Sequence, residues 1–442
     1  MADSVIGPLM ARCKVWIASA GTPVIELKKN LMLNKIRLTL ISFMAYFIMS
    51  GILSPIGIIL GPMADHFEQP ITVISAQFSW LTMGILVGSV IALGIFDWVR
   101  LKPLLLTLYG LITLSLVGFT VVEDLWQLGL ALALVGVCCG IGLAGAATII
   151  SSIYDAERRA SALVMTDGSF SIAGVVVSAA ALFLLARDFD WFGAYLFVAV
   201  IAALLLLLLL VSSFHLVDAF TVGPSESTGA VRGRWPAGVW LCIMALFLYT
   251  LGQYSLLWWP PNYLETASLA PAARAGKVVG QFWSGMFVAQ LLVTWWVLKI
   301  GVQRLVIIGS VTTMLFSMPL WLYKDIDGLM ILAFIWGVAN LGLLKMIISF
   351  ATLIVRAPTP RLISGLLLGA TLGTAVSPWV TSQIVEHSTS YLVLQFGSGC
   401  YLALVIALLM ASRRYAASQA SLSLLSDSTV ASPDAYAVSR IP

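Results

Sequence analysis

The stretch GAYLFVAVIAALLLLLLLVSSF, residues 193–214, has no charged side chain and decides the class of fold. A hydrocarbon layer about 30 Å thick is crossed by roughly 20 apolar residues in an α-helix. Because no water is present inside that layer, a single segment spans it only as a helix, which satisfies its own backbone hydrogen bonds. The stretch is therefore predicted to cross a membrane.

Eleven further apolar stretches of similar length surround it. Five precede it, at residues 38–60, 72–96, 103–121, 126–151 and 163–185, and six follow, at 237–259, 278–298, 303–322, 328–352, 362–384 and 391–412. A polar segment rich in Ser, Gly, Pro and Arg separates the two sets. The sequence predicts an all-α membrane protein with 12 transmembrane helices in two six-helix halves, residues 35–215 and 237–412, joined by a loop at 216–236.

The composition agrees with this prediction and excludes other classes. Of the 442 residues, 60% are hydrophobic and only 10% are charged, whereas a soluble domain carries about 25% charged residues. The formal net charge of +4 does not indicate a nucleic-acid partner. The spacing of the five cysteines matches neither a disulfide framework nor a metal site, so we expect no metal and no cofactor.

The distribution of basic residues predicts the orientation. With an even number of crossings both termini lie on one side, together with nineteen of the 24 lysines and arginines. The opposite connections carry only Arg187, Arg274, Lys277 and Lys324, and Lys345 lies inside a span. Since basic residues accumulate in cytoplasmic loops, both termini are predicted to be cytoplasmic.

The two ends of the chain are predicted to lie outside the membrane. The leader, residues 1–34, contains an apolar patch that is too short to cross, and it is expected to be disordered. Translation could equally begin near Met32, directly before the first apolar stretch. The Ser- and Ala-rich tail, residues 413–442, is expected to be cytoplasmic and disordered as well.

Several motifs resemble one family of transport proteins. The likeness is carried by residues 35–46, 61–70, 166–174 (TDGSFSIAG), 184–195 (LLARDFDWFGAY), 280–286 and 384–388 (IVEHS). The chain resembles the major facilitator superfamily and, within it, the TsgA-like branch near the fucose/galactose/glucose:proton symporters. The resemblance implies a monomeric secondary transporter of a bacterial inner membrane that moves a small molecule by alternating access and is not an enzyme.

The family's signature loop between the second and third spans survives as Gly94, Asp97, Arg100 and Lys102. In the family such charges latch the two halves in one conformation. The resemblance therefore makes Asp97 and Arg100 candidates for gating. An equally good interpretation is that these charges are only positive-inside markers.

Two ionisable residues lie clearly inside the predicted spans, Asp167 and Lys345. A charge inside a bilayer costs at least about 2.5 kcal/mol, so each needs a partner, a water-filled cavity or a function. Lys345 is predicted to bind an anionic group of the substrate, or to alternate between that group and Asp167, which we assign to gating or coupling. The structural alternative is a fixed salt bridge, or a side chain that reaches the membrane surface.

Polar side chains at helical spacing mark three further faces. The first span has Ser42, Tyr46, Ser50 and Ser54 at steps of four, the seventh has Tyr249 and Gln253, and the tenth has Trp336 and Asn340. Such sets suit a ligand held by a few hydrogen bonds and an aromatic wall, although serines often bond only to their own helix. The predicted substrate-binding residues are therefore Lys345, Tyr46, Ser50, Tyr249, Gln253, Asn340 and Trp336.

Glycines recur at steps of four in the second span, as Gly84 and Gly88, and in the eleventh, at 365, 369 and 373. Residues 140–145 also spell the dinucleotide-binding pattern G-x-G-x-x-G, but no strand precedes it, so it indicates helix packing. Small residues allow close helix approach. The resemblance implies that the second and eleventh spans slide at the interface between the halves.

A lysine as the cavity's charge favours an anionic or carboxylate-bearing solute, such as an exported carboxylate siderophore. The alternative is a proton-coupled sugar symporter with Asp167 as its proton site. The first and fourth spans, however, lack the acids that the sugar symporters use there. An alternative of another class is a transporter-like membrane receptor, which binds a ligand without moving it.

Overall fold

The apolar stretches fold into α-helices. The hydrocarbon core of a bilayer offers the backbone no hydrogen-bond partners, and a helix satisfies these groups internally. The computed structural model describes residues 21–96, 98–154, 156–214, 217, 235–267, 269–340, 342–355 and 360–430. Its helices are α1 (Gly21–Leu53), α2 (Ile56–His66), α3 (Ile71–Ile95), α4 (Leu101–Gly118), α5 (Leu125–Ile153), α6 (Ala156–Leu185), α7 (Gly193–Val211), α8 (Ala237–Trp258), α9 (Pro260–Thr266), α10 (Ala272–Ala275), α11 (Lys277–Ile300), α12 (Val302–Ser317), α13 (Pro319–Leu322), α14 (Ile326–Ala339), α15 (Leu343–Ile354), α16 (Pro360–His387) and α17 (Ser390–Val430).

These helices build twelve crossings. Crossings 1 to 6 are α1 with α2, α3, α4, α5, α6 and α7; crossings 7 to 12 are α8 with α9, α11, α12 with α13, α14 with α15, α16 and α17. Among the described residues, eleven of them are long and apolar enough to span a membrane by length and composition alone. The remaining one, α11, has 24 residues, which is also long enough to cross. The predicted all-α membrane fold is confirmed.

Crossings 1–6 and 7–12 form two halves that repeat the same packing. Crossing 2 packs on 4 as 8 packs on 10, crossing 1 packs on 5 as 7 packs on 11, and crossing 3 packs on 6 as 9 packs on 12. Between the halves, crossing 2 contacts 11 and crossing 5 contacts 8. Each helix at the interface therefore has a counterpart in the other half.

Glycines bring the paired crossings into backbone contact. A β-carbon added at Gly136 of crossing 4 would lie 2.1 Å from the Leu81 carbonyl oxygen of crossing 2. In the second half, a β-carbon at Gly337 would lie 2.2 Å from the Phe282 carbonyl oxygen. Gly140 also faces crossing 2, so the G-x-G-x-x-G run serves helix packing, as predicted.

Crossings 2 and 11 meet at the interface between the halves, as expected, while the glycine series of both crossings face their own halves. Gly88 lies against crossing 4, and a β-carbon at Gly373 would lie 2.2 Å from the Phe247 carbonyl oxygen of crossing 7. Where crossings 2 and 11 do meet, the Thr82 hydroxyl donates to the Ala375 carbonyl at 3.0 Å. At this point the contact runs from a side chain of crossing 2 to the backbone of crossing 11.

Both ends of the chain are more helical than the sequence predicts. α1 begins at Gly21, inside the leader, and α17 continues to Val430, inside the tail. Residues 415–430 contain no glycine or proline and several alanines and leucines, which favour continuation of the helix. Residues 1–20 and 431–442, and most of the loop at 216–236, lie outside the described residues.

The face of the bundle on which α1 starts and crossing 12 ends is called the terminal face. There, polar side chains cap the last carbonyl groups of α7, which lack partners within the helix. The Lys102 ammonium donates to the Leu210 carbonyl at 3.2 Å, and the Arg37 guanidinium donates to the Val211 carbonyl at 3.1 Å. Crossings 1, 3 and 6 are thereby tied together at this face.

Candidate substrate-binding site

A cavity of about 700 Å³ lies between the two halves and opens toward the terminal face. Its mouth is formed by residues at the terminal-face ends of crossings 2, 7 and 11, among them Leu93, Trp235 and Leu368. Its inner part reaches Met49 and Tyr254, which lie closer to the opposite face. A solute therefore has a route from the terminal face to the middle of the bundle.

The opposite end of the cavity is closed by crossings 1 and 7. The Trp258 indole N–H donates to the Leu53 carbonyl at 3.2 Å, and both side chains are buried. A β-carbon at Gly57 would lie 2.5 Å from the Trp258 carbonyl oxygen, so only glycine allows this contact. The structure is a conformation that is open on one side and sealed on the other.

We expect Gly57→Leu to open the sealed side, because a leucine side chain at this position overlaps the backbone of crossing 7. Ser54 is fully buried on the sealed side and serves as a reporter. Labelling of Ser54→Cys with a membrane-impermeant maleimide should become about tenfold faster in the Gly57→Leu background, a shift of about 1.4 kcal/mol.

The matched control is Gly61→Leu on the same helix, since a β-carbon at Gly61 meets no atom within 4 Å. It should leave the labelling rate unchanged. Equal rates in the two glycine variants would show that the contact of Gly57 with crossing 7 does not hold the seal.

Asp167 and Lys345 meet inside the cavity. The Lys345 ammonium nitrogen lies 3.5 Å from a carboxylate oxygen of Asp167, and the two side chains are 44% and 21% exposed. Asp167 belongs to crossing 5 in the first half and Lys345 to crossing 10 in the second. The ion pair therefore bridges the halves, which is the arrangement that both the alternation hypothesis and a fixed salt bridge require.

Crossing 10 is interrupted next to Lys345. α14 ends at Ala339 and α15 begins at Leu343, and Gly342 between them has φ +60°, a conformation that glycine adopts without strain. Lys345 thus lies in the first turn of α15, where the helix dipole leaves a positive partial charge. The ammonium and the helix end together make this wall of the cavity electropositive.

Three further predicted residues line the cavity around the ion pair. Tyr46 comes from crossing 1, and Tyr249 and Gln253 come from crossing 7. The Gln253 amide also lies 3.9 Å from the Met286 sulfur. The structure therefore brings together five of the residues singled out from the sequence, including both charged ones.

Ser50, Trp336 and Asn340 lie outside the cavity wall, and this corrects their predicted placement. Each step of four residues turns the serine stripe by about 40° around the helix, and Ser50 is fully buried in the bundle. The Trp336 ring packs on Phe282 with centroids 4.2 Å apart. Asn340 is buried and donates to the Trp336 carbonyl at 3.2 Å, within its own helix.

The sequence profile of the Major Facilitator Superfamily matches residues 38–362. The chain belongs to this superfamily. It is 26% identical over 376 residues to Protein TsgA homologs of Yersinia pestis (strain Pestoides F) and Yersinia pseudotuberculosis serotype O:3 (strain YPIII), covering 84% of this chain and 94% of each relative. It is thus a TsgA-like, multi-pass membrane transporter.

Solved structures show the same superfamily fold. The crystal structure of nucleoside transporter NupG superposes with a TM-score of 0.65 at 14% sequence identity, covering 86% of this chain and 98% of that one. A mutant of the same transporter superposes with a TM-score of 0.64 and 99% coverage of that chain. At this level of identity the likeness concerns the fold alone.

Arg100 and Lys102 of the superfamily's signature loop lie apart from the cavity. Arg100 precedes α4 and lines a separate groove at the terminal face, together with Lys102 and the end of α7. Asp97 lies outside the described residues. A latch formed by Asp97 and Arg100 therefore stays a prediction.

Sequence reasoning missed the aromatic residues of the site. Phe170, Tyr254 and Trp283 line the cavity, and the rings of Phe170 and Trp283 lie 5.6 Å apart between centroids. Phe170 follows Asp167 at helical spacing, and Tyr254 follows Gln253 directly, so proximity to the polar candidates was the available signal. Aromatic residues make up 11% of the chain, which made that signal easy to overlook.

Proposed function

We propose that this secondary transporter moves a small solute with an anionic group, of the carboxylate kind, across a bacterial inner membrane by alternating access, with both termini in the cytoplasm. The observation that carries the proposal is the position of Lys345. Its ammonium is partly exposed in the cavity and lies in the first turn of a helix that begins there. Helix N-termini and cationic side chains both favour anions.

The geometry of the ion pair favours exchange over a fixed salt bridge. A tight bond between an ammonium and a carboxylate is about 2.7–2.9 Å long, whereas Lys345 and Asp167 are 3.5 Å apart. With 44% of its side chain exposed, Lys345 retains donors for a second acceptor in the cavity. An incoming carboxylate can therefore take the place of Asp167.

This exchange supplies the link between binding and movement. Asp167 and Lys345 are on different halves, so their contact ties the halves together. An anion that takes Lys345 away from Asp167 removes that tie. In other secondary transporters, discontinuous helices likewise direct an N-terminus at an anionic group of the substrate.

The proposal is tested by a thermal-shift screen of the purified protein in detergent, with carboxylates, phosphate esters, neutral sugars, nucleosides and quaternary ammonium compounds. Carboxylates should raise the melting temperature, and a stabilising compound should be moved by the protein in proteoliposomes. Stabilisation by sugars or cations but not by carboxylates would contradict the proposal. Binding with zero flux would favour the receptor alternative.

We expect Asp167→Asn to tighten carboxylate binding about tenfold. In this variant the Lys345 ammonium no longer has to break an ion pair with Asp167 before it binds the carboxylate of the solute. Titration calorimetry with a stabilising carboxylate measures the change. Asp327→Asn is the control, since Asp327 pairs with Arg274 at 2.5 Å on the exposed surface and should change affinity less than about twofold. Weaker binding by Asp167→Asn would show that Asp167 supports the anion rather than competing with it.

A further inference from the structure

We infer that the transported solute is a monocarboxylate with a flat, apolar body; this inference rests on the proposed function. Three features of the cavity carry it: aromatic walls, serine and threonine hydroxyl groups that already donate to the backbone, and a single cationic side chain among the described lining residues.

Aromatic rings form the walls on both sides of the ion pair. The first half supplies Tyr46 and Phe170, and the second supplies Tyr249, Tyr254 and Trp283. Such rings favour offset or edge-to-face contact with another planar apolar group. A solute that carries an aromatic or similarly flat body therefore finds matching surfaces from both halves at once.

The largest of these rings is held rigidly. A β-carbon at Gly174 of crossing 5 would lie 2.3 Å from the Trp283 ring, so the indole sits directly on the backbone of the other half. The Trp283 ring also packs against the ring of Phe282, the preceding residue, with centroids 5.3 Å apart. A rigid wall selects for shape, because its side chain has already lost its rotamer freedom.

Three serine and threonine hydroxyl groups of the cavity wall have no hydrogen left to donate to a polyhydroxy solute. Ser89 donates to the Ile85 carbonyl at 2.8 Å, and Thr371 donates to the Leu367 carbonyl at 2.8 Å. Thr250 donates across to the Ala370 carbonyl at 2.7 Å. A sugar bound here would leave many of its hydroxyl groups facing apolar side chains, and burial of unpaired polar groups is costly.

The charge in the cavity suits one carboxylate. Among the lining residues that the structure describes, the charged side chains are Asp167 and Lys345. A second carboxylate on the solute would face apolar walls or the Asp167 carboxylate, and both are unfavourable. A polycarboxylate, including a carboxylate siderophore, therefore fits this cavity less well than a monoanion.

The test compares three carboxylates by titration calorimetry on the full-length protein in detergent: 3-phenylpropionate, gluconate and tricarballylate. They represent a flat monoacid, a polyhydroxy monoacid and a triacid. We expect 3-phenylpropionate to bind at least about tenfold more tightly than either of the others.

Two variants test the aromatic wall. Trp283→Leu, and the smaller change Phe170→Leu in case the first fails to fold, should weaken 3-phenylpropionate about tenfold and leave gluconate unchanged. Trp379→Leu is the matched control, because Trp379 is 58% exposed on the outer surface of crossing 11. It should change neither affinity.

The outcomes separate the inference from the proposed function. If gluconate or tricarballylate binds as tightly as 3-phenylpropionate, and Lys345→Ala abolishes that binding, the anion site stands and the flat monocarboxylate is overturned. If 3-phenylpropionate does not bind, the inference is overturned whatever the other acids do. If no carboxylate of the screen or of this set binds, the proposed function fails as well.

Discussion

Lys345→Ala should bind carboxylates at least about a hundredfold more weakly than the wild type, or not measurably, a loss of about 2.7 kcal/mol or more. The substitution removes the ammonium that faces the cavity and leaves the Asp167 carboxylate without its partner. An incoming anion then meets the Asp167 carboxylate with no cation beside it, and like charges repel. Titration calorimetry measures the affinity, and flux into proteoliposomes measures the transport.

Two further variants test whether the loss of binding is specific to the ammonium group at position 345. Lys324→Ala removes a lysine from an exposed connection at the opposite face and should leave affinity unchanged. Lys345→Arg keeps the charge and should retain part of the binding, because only the geometry of the donors differs. Unaltered affinity in Lys345→Ala would refute the anion site outright.

Gly136→Leu should reduce the yield of monodisperse protein at least about tenfold. Adding atoms to a tightly packed interface is destabilising even when the added atoms clash only with side chains, and at Gly136 they clash with backbone. At Gly136 the added β-carbon alone would lie 2.1 Å from the Leu81 carbonyl oxygen, so crossings 2 and 4 have to separate. Fluorescence-detected size-exclusion chromatography measures the yield, and a melting curve measures the stability of what remains.

Gly110→Leu is the matched control, since a β-carbon at Gly110 of crossing 3 meets no atom within 4 Å. It should keep a wild-type yield, because leucine has the higher helix propensity. Gly337→Leu should repeat the defect of Gly136→Leu in the second half, where the added atom would lie 2.2 Å from the Phe282 carbonyl oxygen. A normal yield for Gly136→Leu would mean that crossings 2 and 4 tolerate a wider spacing.

Much of the fold follows from the sequence because bilayer thickness fixes the length of each apolar segment. The stretch at 193–214 becomes α7, Gly193–Val211, with almost the predicted bounds. The break in crossing 10 was not predicted, since residues 328–352 form one apolar run. Gly342 after Asn340 was the local signal, but isolated glycines are common in membrane helices and this one does not stand out.

The candidate site was only partly predictable. Asp167 and Lys345 stood out because charge inside a membrane is costly, and the structure pairs them. Ser50 and Asn340 were misplaced because spacing along a helix defines a face but does not say whether that face meets a cavity or a neighbouring helix. The aromatic wall depends on contacts between halves, which no single segment encodes.

Crossings 1 and 7 are each divided into two helices near the sealed end of the cavity. α1 gives way to α2 at Ser54 and Pro55, and α8 gives way to α9 at Trp259, beside the bond from Trp258 to Leu53. The glycine-packed contacts between crossings 2 and 4 lie within continuous helices, whereas Gly337, which packs on crossing 8, lies two residues before α14 ends at Ala339. Rotation of the two short helices α2 and α9 at the breaks in crossings 1 and 7 would therefore release the seal while crossings 2 and 4 keep their packing.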